Sequence, residues 1–106
     1  MGRLRREKSK SGIYHIMIRG INRQTIFKDN DDRQRFLDTL NRFKFISNYD
    51  LYGYCLMDNH IHLLIKENTE SISTAIKRIS SSYVYWYNEK YDRIGTCFRE
   101  DLKVKL

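Results

Sequence analysis

The sequence has little cysteine and no long apolar segment. Its two cysteines, Cys55 and Cys97, lie far apart and form no metal-spaced pair, so they suggest neither a disulfide framework nor a zinc knuckle. No apolar run approaches the roughly 20 residues that a membrane-spanning helix needs. The basic start, residues 1–10, is not followed by the apolar stretch of a signal peptide. We therefore expect a cytoplasmic protein in a reducing compartment, neither secreted nor embedded in a membrane.

What the 106 residues do contain is charge, most of it positive. Charged residues make up 31% and hydrophobic residues 41% of the chain, a balance that is typical of one folded domain. The net charge of +7 and the pI near 9.5 favour polyanionic partners, with nucleic acid as the leading class. A basic surface can also serve solubility alone, so the net charge by itself does not show that nucleic acid is the partner.

Three segments have the apolar and β-branched composition of strands: residues 13–19, 51–57 and 60–66. Asp58 and Asn59 between the last two are short enough for a tight hairpin, which would pair these strands antiparallel. The composition of residues 20–24 indicates a positively charged turn. The end of the chain, residues 96–106, contains one candidate strand and no clear helix.

Two further segments have helical spacing of their apolar residues. Asn30 or Asp31 is the predicted cap of the first helix, and Ser71 or Ser73 that of the second. The predicted inward positions are Phe36, Leu37, Leu40, Phe43 and Ile46 in the first helix and Ile72, Ile76, Ile79, Tyr83 and Tyr87 in the second. This order predicts an α+β fold in which two helices pack on an antiparallel sheet, a ferredoxin-like or RRM-like βαββα sandwich.

His60 and His62 are the first residues that suggest chemistry. On a strand, side chains two residues apart project from the same face, about 6 to 7 Å apart along the chain. Two imidazoles so placed can converge on one divalent ion. The alternative is that two histidines fell by chance on a polar face of the sheet, and an isolated His-x-His pair does not exclude it.

The pair lies within a longer segment, Tyr54-Cys55-Leu56-Met57-Asp58-Asn59-His60-Ile61-His62-Leu63-Leu64-Ile65, which is similar to the hallmark block of single-tyrosine HUH transposases. This family comprises bacterial insertion-sequence and REP-associated enzymes. Three other segments match it in the same order: Tyr14-His15 with Arg19-Gly20-Ile21-Asn22-Arg23, residues 26–36, and Ser82-Tyr83-Val84 followed by Tyr87-Asn88 to Tyr91. The resemblance covers residues 1 to about 95, and residues 13–95 are the expected domain.

The resemblance implies metal-dependent cleavage and rejoining of single-stranded or hairpin DNA through a phosphotyrosine intermediate, commonly by a homodimer. His60 and His62 would be the catalytic metal ligands, and Mg²⁺ or Mn²⁺ suits a site completed by phosphate oxygens. His15 could lie near the pair if its strand neighbours theirs, although a structural histidine is the default. Asn59 is expected to shape the turn before the pair.

Two regions of positive charge are the expected DNA-binding surfaces. Arg19, Asn22 and Arg23 match a turn of the family and could contact phosphate, with a solvated charged turn as the competing interpretation. Residues 1–12 form a basic N-terminal arm, in which Arg5 and Arg6 are further candidates.

The nucleophilic tyrosine of the family lies on a further helix, beyond a strand that follows the Gly95 region. The printed sequence ends at Leu106, which predicts a truncated domain without its own nucleophile. Tyr83 and Tyr87 are expected to pack in the core instead. Residues 96–106 diverge from the relatives; the favoured hypothesis is a single-base deletion near the Gly95 codon, and the alternative is a short protein whose end arose independently.

Three functions therefore stay open. The leading one is a transposase-type domain that retains the metal pair. The second is a protein that binds single-stranded or hairpin nucleic acid without cutting it, through its basic residues and exposed aromatic side chains. The third is a metal-dependent nuclease in which His60 and His62 activate water, which would cut DNA without forming a covalent adduct.

Overall fold

The structure is a computed structural model that describes residues 11–96 and 98–104, except for the side chains of residues 101–104. Its elements are β1 (Ile13–Gly20), a 3-10 turn (Ile21–Arg23), α1 (Asn30–Ser47), β2 (Asp50–Leu56), β3 (His60–Lys66), α2 (Ile72–Tyr91) and β4 (Phe98–Val104). The strands form one antiparallel sheet in the order β2-β3-β1-β4. The predicted α+β class is confirmed, and the candidate strand after Gly95 is β4 at the edge of the sheet.

The two central strands, β1 and β3, bury alternate residues against the helices. Tyr14, Ile16 and Ile18 of β1 and Ile61, Leu63 and Ile65 of β3 are fully buried in one core with residues of both helices. Because side chains alternate along a strand, the residues between them lie on the opposite side. We call that side the histidine face; it carries His15, Met17 and Arg19 of β1, His60 and His62 of β3, and Arg99 of β4.

The helices follow the predicted pattern with two differences, both in α1. Its cap is Asp29, whose side chain accepts a hydrogen bond from the backbone N–H of Asp32, so the predicted cap at Asn30 or Asp31 is wrong. Ile46 is 57% exposed although it was predicted to face inward. At 3.6 residues per turn, Ser47 lies about 20° from the direction of Phe36 and Ile46 about 80° from it, so Ser47 takes the buried position.

The second helix agrees with its sequence pattern in full. Ser71 is its cap and accepts from the N–H of Thr74 at 3.2 Å. All five predicted inward residues are buried: Ile72, Ile76, Ile79, Tyr83 and Tyr87. Neither helix in the described part of the chain is long and apolar enough to cross a membrane.

Asp32 fastens the start of α1 to the end of α2. It is fully buried, and its oxygens accept from the backbone N–H of Lys28 at 2.8 Å, from the Tyr91 hydroxyl at 2.7 Å and from Lys90 Nζ at 2.7 Å. The hydrogen bond to Asp32 raises the pKa of Lys90 above its ordinary value. Burial, with the hydrogen bond to Asp32 adding to it, raises the pKa of Tyr91.

Candidate metal and DNA site

Three histidines lie together on the histidine face. The rings of His60 and His62 have centroids 5.1 Å apart and are nearly perpendicular, at 86°. Because β1 pairs with β3 and places Met17 opposite His62, His15 is a diagonal neighbour of His62. Its Nε2 lies 3.0 Å from His62 Nδ1, and the two ring planes are only 7° apart.

The hydrogen bonds of these rings determine which nitrogens can accept a cation. His60 Nδ1 lies 2.9 Å from the amide oxygen of Asn59; since that oxygen only accepts, the tautomer of the neutral ring that fits this contact has its hydrogen on Nδ1 and a lone pair on Nε2. When His62 Nδ1 donates to His15, His62 also keeps its Nε2 lone pair. Within residues 11–96 and 98–100, no group of three or more His, Cys, Asp or Glu side chains could hold a metal ion. His60 and His62 thus present two ring nitrogens on one face, fewer than the three protein ligands of a typical protein-held metal site.

The turn after β1 is fastened to the hairpin that precedes His60. The N–H of Gly20 donates to the Asn59 carbonyl at 2.9 Å, and the N–H groups of Ile26 and Phe27 donate to the Asp58 carbonyl at 2.9 and 3.1 Å. The hairpin itself is closed by the N–H of Met57, which donates to the His60 carbonyl at 2.8 Å, in agreement with the predicted two-residue turn. The segment from Gly20 to Phe27 therefore keeps a fixed position beside the histidines.

Tyr83 and Tyr87 hold the same segment from the core side. Their rings are buried, as predicted, and their hydroxyls donate to the carbonyls of Ile26 at 2.7 Å and Thr25 at 2.8 Å. The sequence indicated the burial of these rings. It did not indicate that their hydroxyls would position the turn that carries Arg23.

Asn22 and Arg23 adopt left-handed backbone conformations, with φ of 56° and 60°. For residues with a side chain this costs about 1 kcal/mol each, less for asparagine. The conformation brings Arg23 to a cavity of about 290 Å³ that is also lined by Arg19, Asn59 and His60. Two of the predicted DNA-binding residues thus adjoin a predicted metal ligand, whereas Asn22 lines a second cavity on the β4 side. Arg5 and Arg6 lie outside the described residues.

Gly20 is the position at which this turn tolerates no side chain. A Cβ there would lie 2.1 Å from the carbonyl oxygen of Gln24, a backbone atom that cannot rotate away. We expect Gly20→Ala to destabilise the fold by about 1–3 kcal/mol, as overpacking generally does, and to weaken DNA binding because Arg23 is displaced. Urea unfolding and hairpin-DNA titration measure the two effects.

Gly53→Ala is the matched control for this change. Gly53 also lies in a strand, but a Cβ there meets nothing within 4 Å, so we expect stability and DNA affinity to stay at the wild-type level. Equal behaviour of the two variants would contradict the role assigned to Gly20.

Comparison with known proteins identifies the family. The family described as "Transposase IS200 like" matches residues 8–101, while comparison with curated proteins gave no match. The chain is similar to the solved structure of a REP-associated tyrosine transposase bound to a REP hairpin, with a TM-score of 0.69, 14% identity and 100% of this chain covered. It spans 64% of the length of that protein.

A candidate transposase from Deinococcus radiodurans R1 is similar over 100% of this chain and 85% of its own, with a TM-score of 0.71 and 15% identity. At such identities the two structures show a shared fold, and the membership follows from the family match. Since that match includes nearly all of the described residues, the chain belongs to the IS200-like transposase family.

Proposed function

We propose that this chain is a DNA-transposase-type domain that binds single-stranded or hairpin DNA and holds one phosphate, together with Mg²⁺ or Mn²⁺, at His60 and His62. The observation that carries the proposal is the arrangement of the two imidazoles beside the cavity lined by Arg19 and Arg23. A phosphodiester under attack gains negative charge, and cationic groups aimed at it stabilise that charge. The family of the chain supports the same conclusion.

His60 and His62 would hold the ion through their Nε2 atoms. The contact of His60 Nδ1 with Asn59 and that of His62 Nδ1 with His15 keep both rings oriented, which is the usual way in which proteins position metal-binding histidines. A bound divalent ion would polarise the phosphate and align the leaving oxygen. Two protein ligands leave room for phosphate oxygens, the ligands that Mg²⁺ and Mn²⁺ prefer.

Hairpin DNA is the proposed partner. A REP-associated tyrosine transposase of the same fold is described as bound to a REP hairpin. Arg19, Asn22 and Arg23, which line the two cavities at this end of the sheet, are the proposed contacts with the hairpin backbone. Arg5 and Arg6 of the basic arm remain proposed DNA contacts, and a cytoplasmic homodimer remains the proposed working form.

The proposed chemistry is transesterification: a tyrosine hydroxyl attacks the phosphodiester, forms a 5′-phosphotyrosyl bond and releases a 3′-hydroxyl. We propose that the described residues do not include that tyrosine. Tyr14, Tyr83 and Tyr87 are buried, and the hydroxyls of the last two donate to backbone carbonyls. Tyr54 and Tyr85 are exposed, but Tyr54 is paired with the core residue Leu63 and Tyr85 belongs to α2, so both lie on the helix side of the sheet, away from the histidines. Binding without cleavage is thus the second candidate function of this chain alone.

A labelled hairpin with a single-stranded flank tests the proposal, with a duplex of equal length as control. We expect salt-sensitive retention of the hairpin that Mn²⁺ increases, weaker retention of the duplex, and no covalent adduct on a denaturing gel. A covalent adduct would show that the chain has its own nucleophile. Metal-dependent cleavage without an adduct would favour the nuclease, and equal retention of both DNAs without an effect of Mn²⁺ would refute the proposal.

A further inference from the structure

Three residues on the histidine face form a row across neighbouring strands. In the strand register, Arg19 of β1 is paired with His60 of β3 on one side and with Arg99 of β4 on the other. Neighbouring strands are about 4.8 Å apart, so the backbone at Arg99 lies about 10 Å from that at His60. Phe98 next to Arg99 is buried, whereas Arg99 is exposed. The row therefore runs at right angles to the strands, on the side away from the helices.

The far end of the row opens into a second cavity. It has a volume of about 440 Å³, and its lining includes Arg19, Asn22, Arg23, Phe98 and Arg99. Arg19 and Arg23 also line the cavity beside His60, so they form a wall that the two cavities share. A ligand that occupies both cavities must pass over these two arginines.

The second cavity has a strongly positive lining. Three of its lining residues are arginines, and an anion bound among arginine side chains is attracted by their positive charges. In the described part of the chain, no carboxylate forms an ion pair with Arg23 or Arg99. A guanidinium presents a planar fork of donors that matches two phosphate oxygens at once. The lining thus fits a phosphate group.

We propose that Arg99 binds a second phosphate of the DNA strand whose first phosphate is held at His60 and His62. This inference rests on the proposed function. The strand would cross the sheet from β3 over β1 to β4, with Arg19 and Arg23 between the two phosphates. A span of about 10 Å corresponds to two or three nucleotides at the roughly 3.4 Å rise of a stacked strand. Arg99 would then be a DNA-binding residue that takes no part in the chemistry.

Arg99→Ala, compared with Lys77→Ala, tests the proposal. Lys77 is exposed on α2, on the helix side of the sheet, and its removal changes the net charge by the same amount. Hairpin affinity is measured for both variants and the wild-type protein over a series of salt concentrations. Loss of one phosphate contact on a single strand lowers the slope of log K against log salt by about 0.7. We expect this decrease for Arg99→Ala and the wild-type slope for Lys77→Ala.

Neutral methylphosphonate linkages, placed one at a time along the flank, locate the contact. We expect one linkage, two or three nucleotides from the phosphate at the histidines, to weaken binding by the wild-type protein and to leave binding by Arg99→Ala unchanged. An unchanged slope for Arg99→Ala, or no linkage whose effect depends on Arg99, would overturn the inference.

The same series separates this inference from the proposed function. Hairpin retention that Mn²⁺ increases equally in the wild-type protein and in Arg99→Ala, with identical slopes, leaves the proposed function in place and refutes only the second phosphate contact. A wild-type protein that does not retain the hairpin refutes both.

Discussion

Replacement of both His60 and His62 by alanine is expected to abolish the Mn²⁺ binding by which the complex of this protein with hairpin DNA exceeds the hairpin alone. Without the two imidazoles, His15 is the one histidine left on this face in the described part of the chain, and a single imidazole is too few nitrogen ligands to replace the pair. The measurement is the electron paramagnetic resonance signal of free Mn²⁺, titrated with the protein–hairpin complex. Metal-independent, salt-sensitive retention of the hairpin should persist, because the arginines are unchanged.

Cys55→Ala provides a control on the same face of the sheet. Cys55 is paired with His62 in the strand register and is exposed, but a thiol is a poor ligand for Mn²⁺, so we expect wild-type metal binding.

His15→Leu leaves both imidazoles in place and removes the partner of His62 Nδ1; loss of such a contact typically lowers metal affinity about 10-fold to 100-fold. Undiminished Mn²⁺ binding in the double variant would show that the ion lies elsewhere.

Asp32→Ala should destabilise the fold by about 2–5 kcal/mol. The change leaves two donors without their acceptor, the N–H of Lys28 and the hydroxyl of Tyr91, and an unsatisfied buried donor costs about 1–3 kcal/mol. It also disconnects the start of α1 from Lys90 near the end of α2. Urea unfolding followed by circular dichroism measures the loss.

Asp31→Ala is the control, since Asp31 is a neighbouring carboxylate in the same helical turn and is exposed. Its removal should change the free energy of unfolding by no more than about 0.5 kcal/mol. If Asp32→Ala were no more destabilising than Asp31→Ala, the cluster around Asp32 would not hold the helices together.

The same cluster makes stability depend on alkaline pH. The pKa values of Lys90 and Tyr91 are raised from their ordinary 10.5 and 10.0, so the folded protein holds these protons more tightly than the unfolded chain. Above about pH 10 the unfolded chain releases them first, and the free energy of unfolding falls as pH rises. Below that pH both groups keep their protons in the folded and the unfolded protein, so their contribution to the free energy of unfolding is fully present. In Asp32→Ala this alkaline decrease should be shallower, as unfolding at pH 8 to 11 would show.

Much of the fold could be predicted because its local patterns agree with the final packing. The buried positions of β3 alternate, and α2 keeps a regular stripe from Ile72 to Tyr87. The two wrong predictions, the cap of α1 and the burial of Ile46, concern positions at which adjacent residues compete for one role. Asp29 rather than Asn30 caps α1 because of a single side-chain hydrogen bond. Ile46 lies about 80° from the direction of Phe36 and is exposed, while the next residue, Ser47, takes the buried position.

The sequence by itself determined that His60 and His62 share a face, because the two-residue period of a strand is a local property. Its resemblance to a family supplied the expected chemistry. Only the tertiary structure decided that His15 contacts His62 and that His60, Arg19 and Arg99 form one row. Both results depend on β1 lying between β3 and β4 and on the register of the pairs. Unlike the β2–β3 hairpin, the pairings of β1 with β3 and with β4 join residues distant in the chain, and the period of a single strand does not encode them.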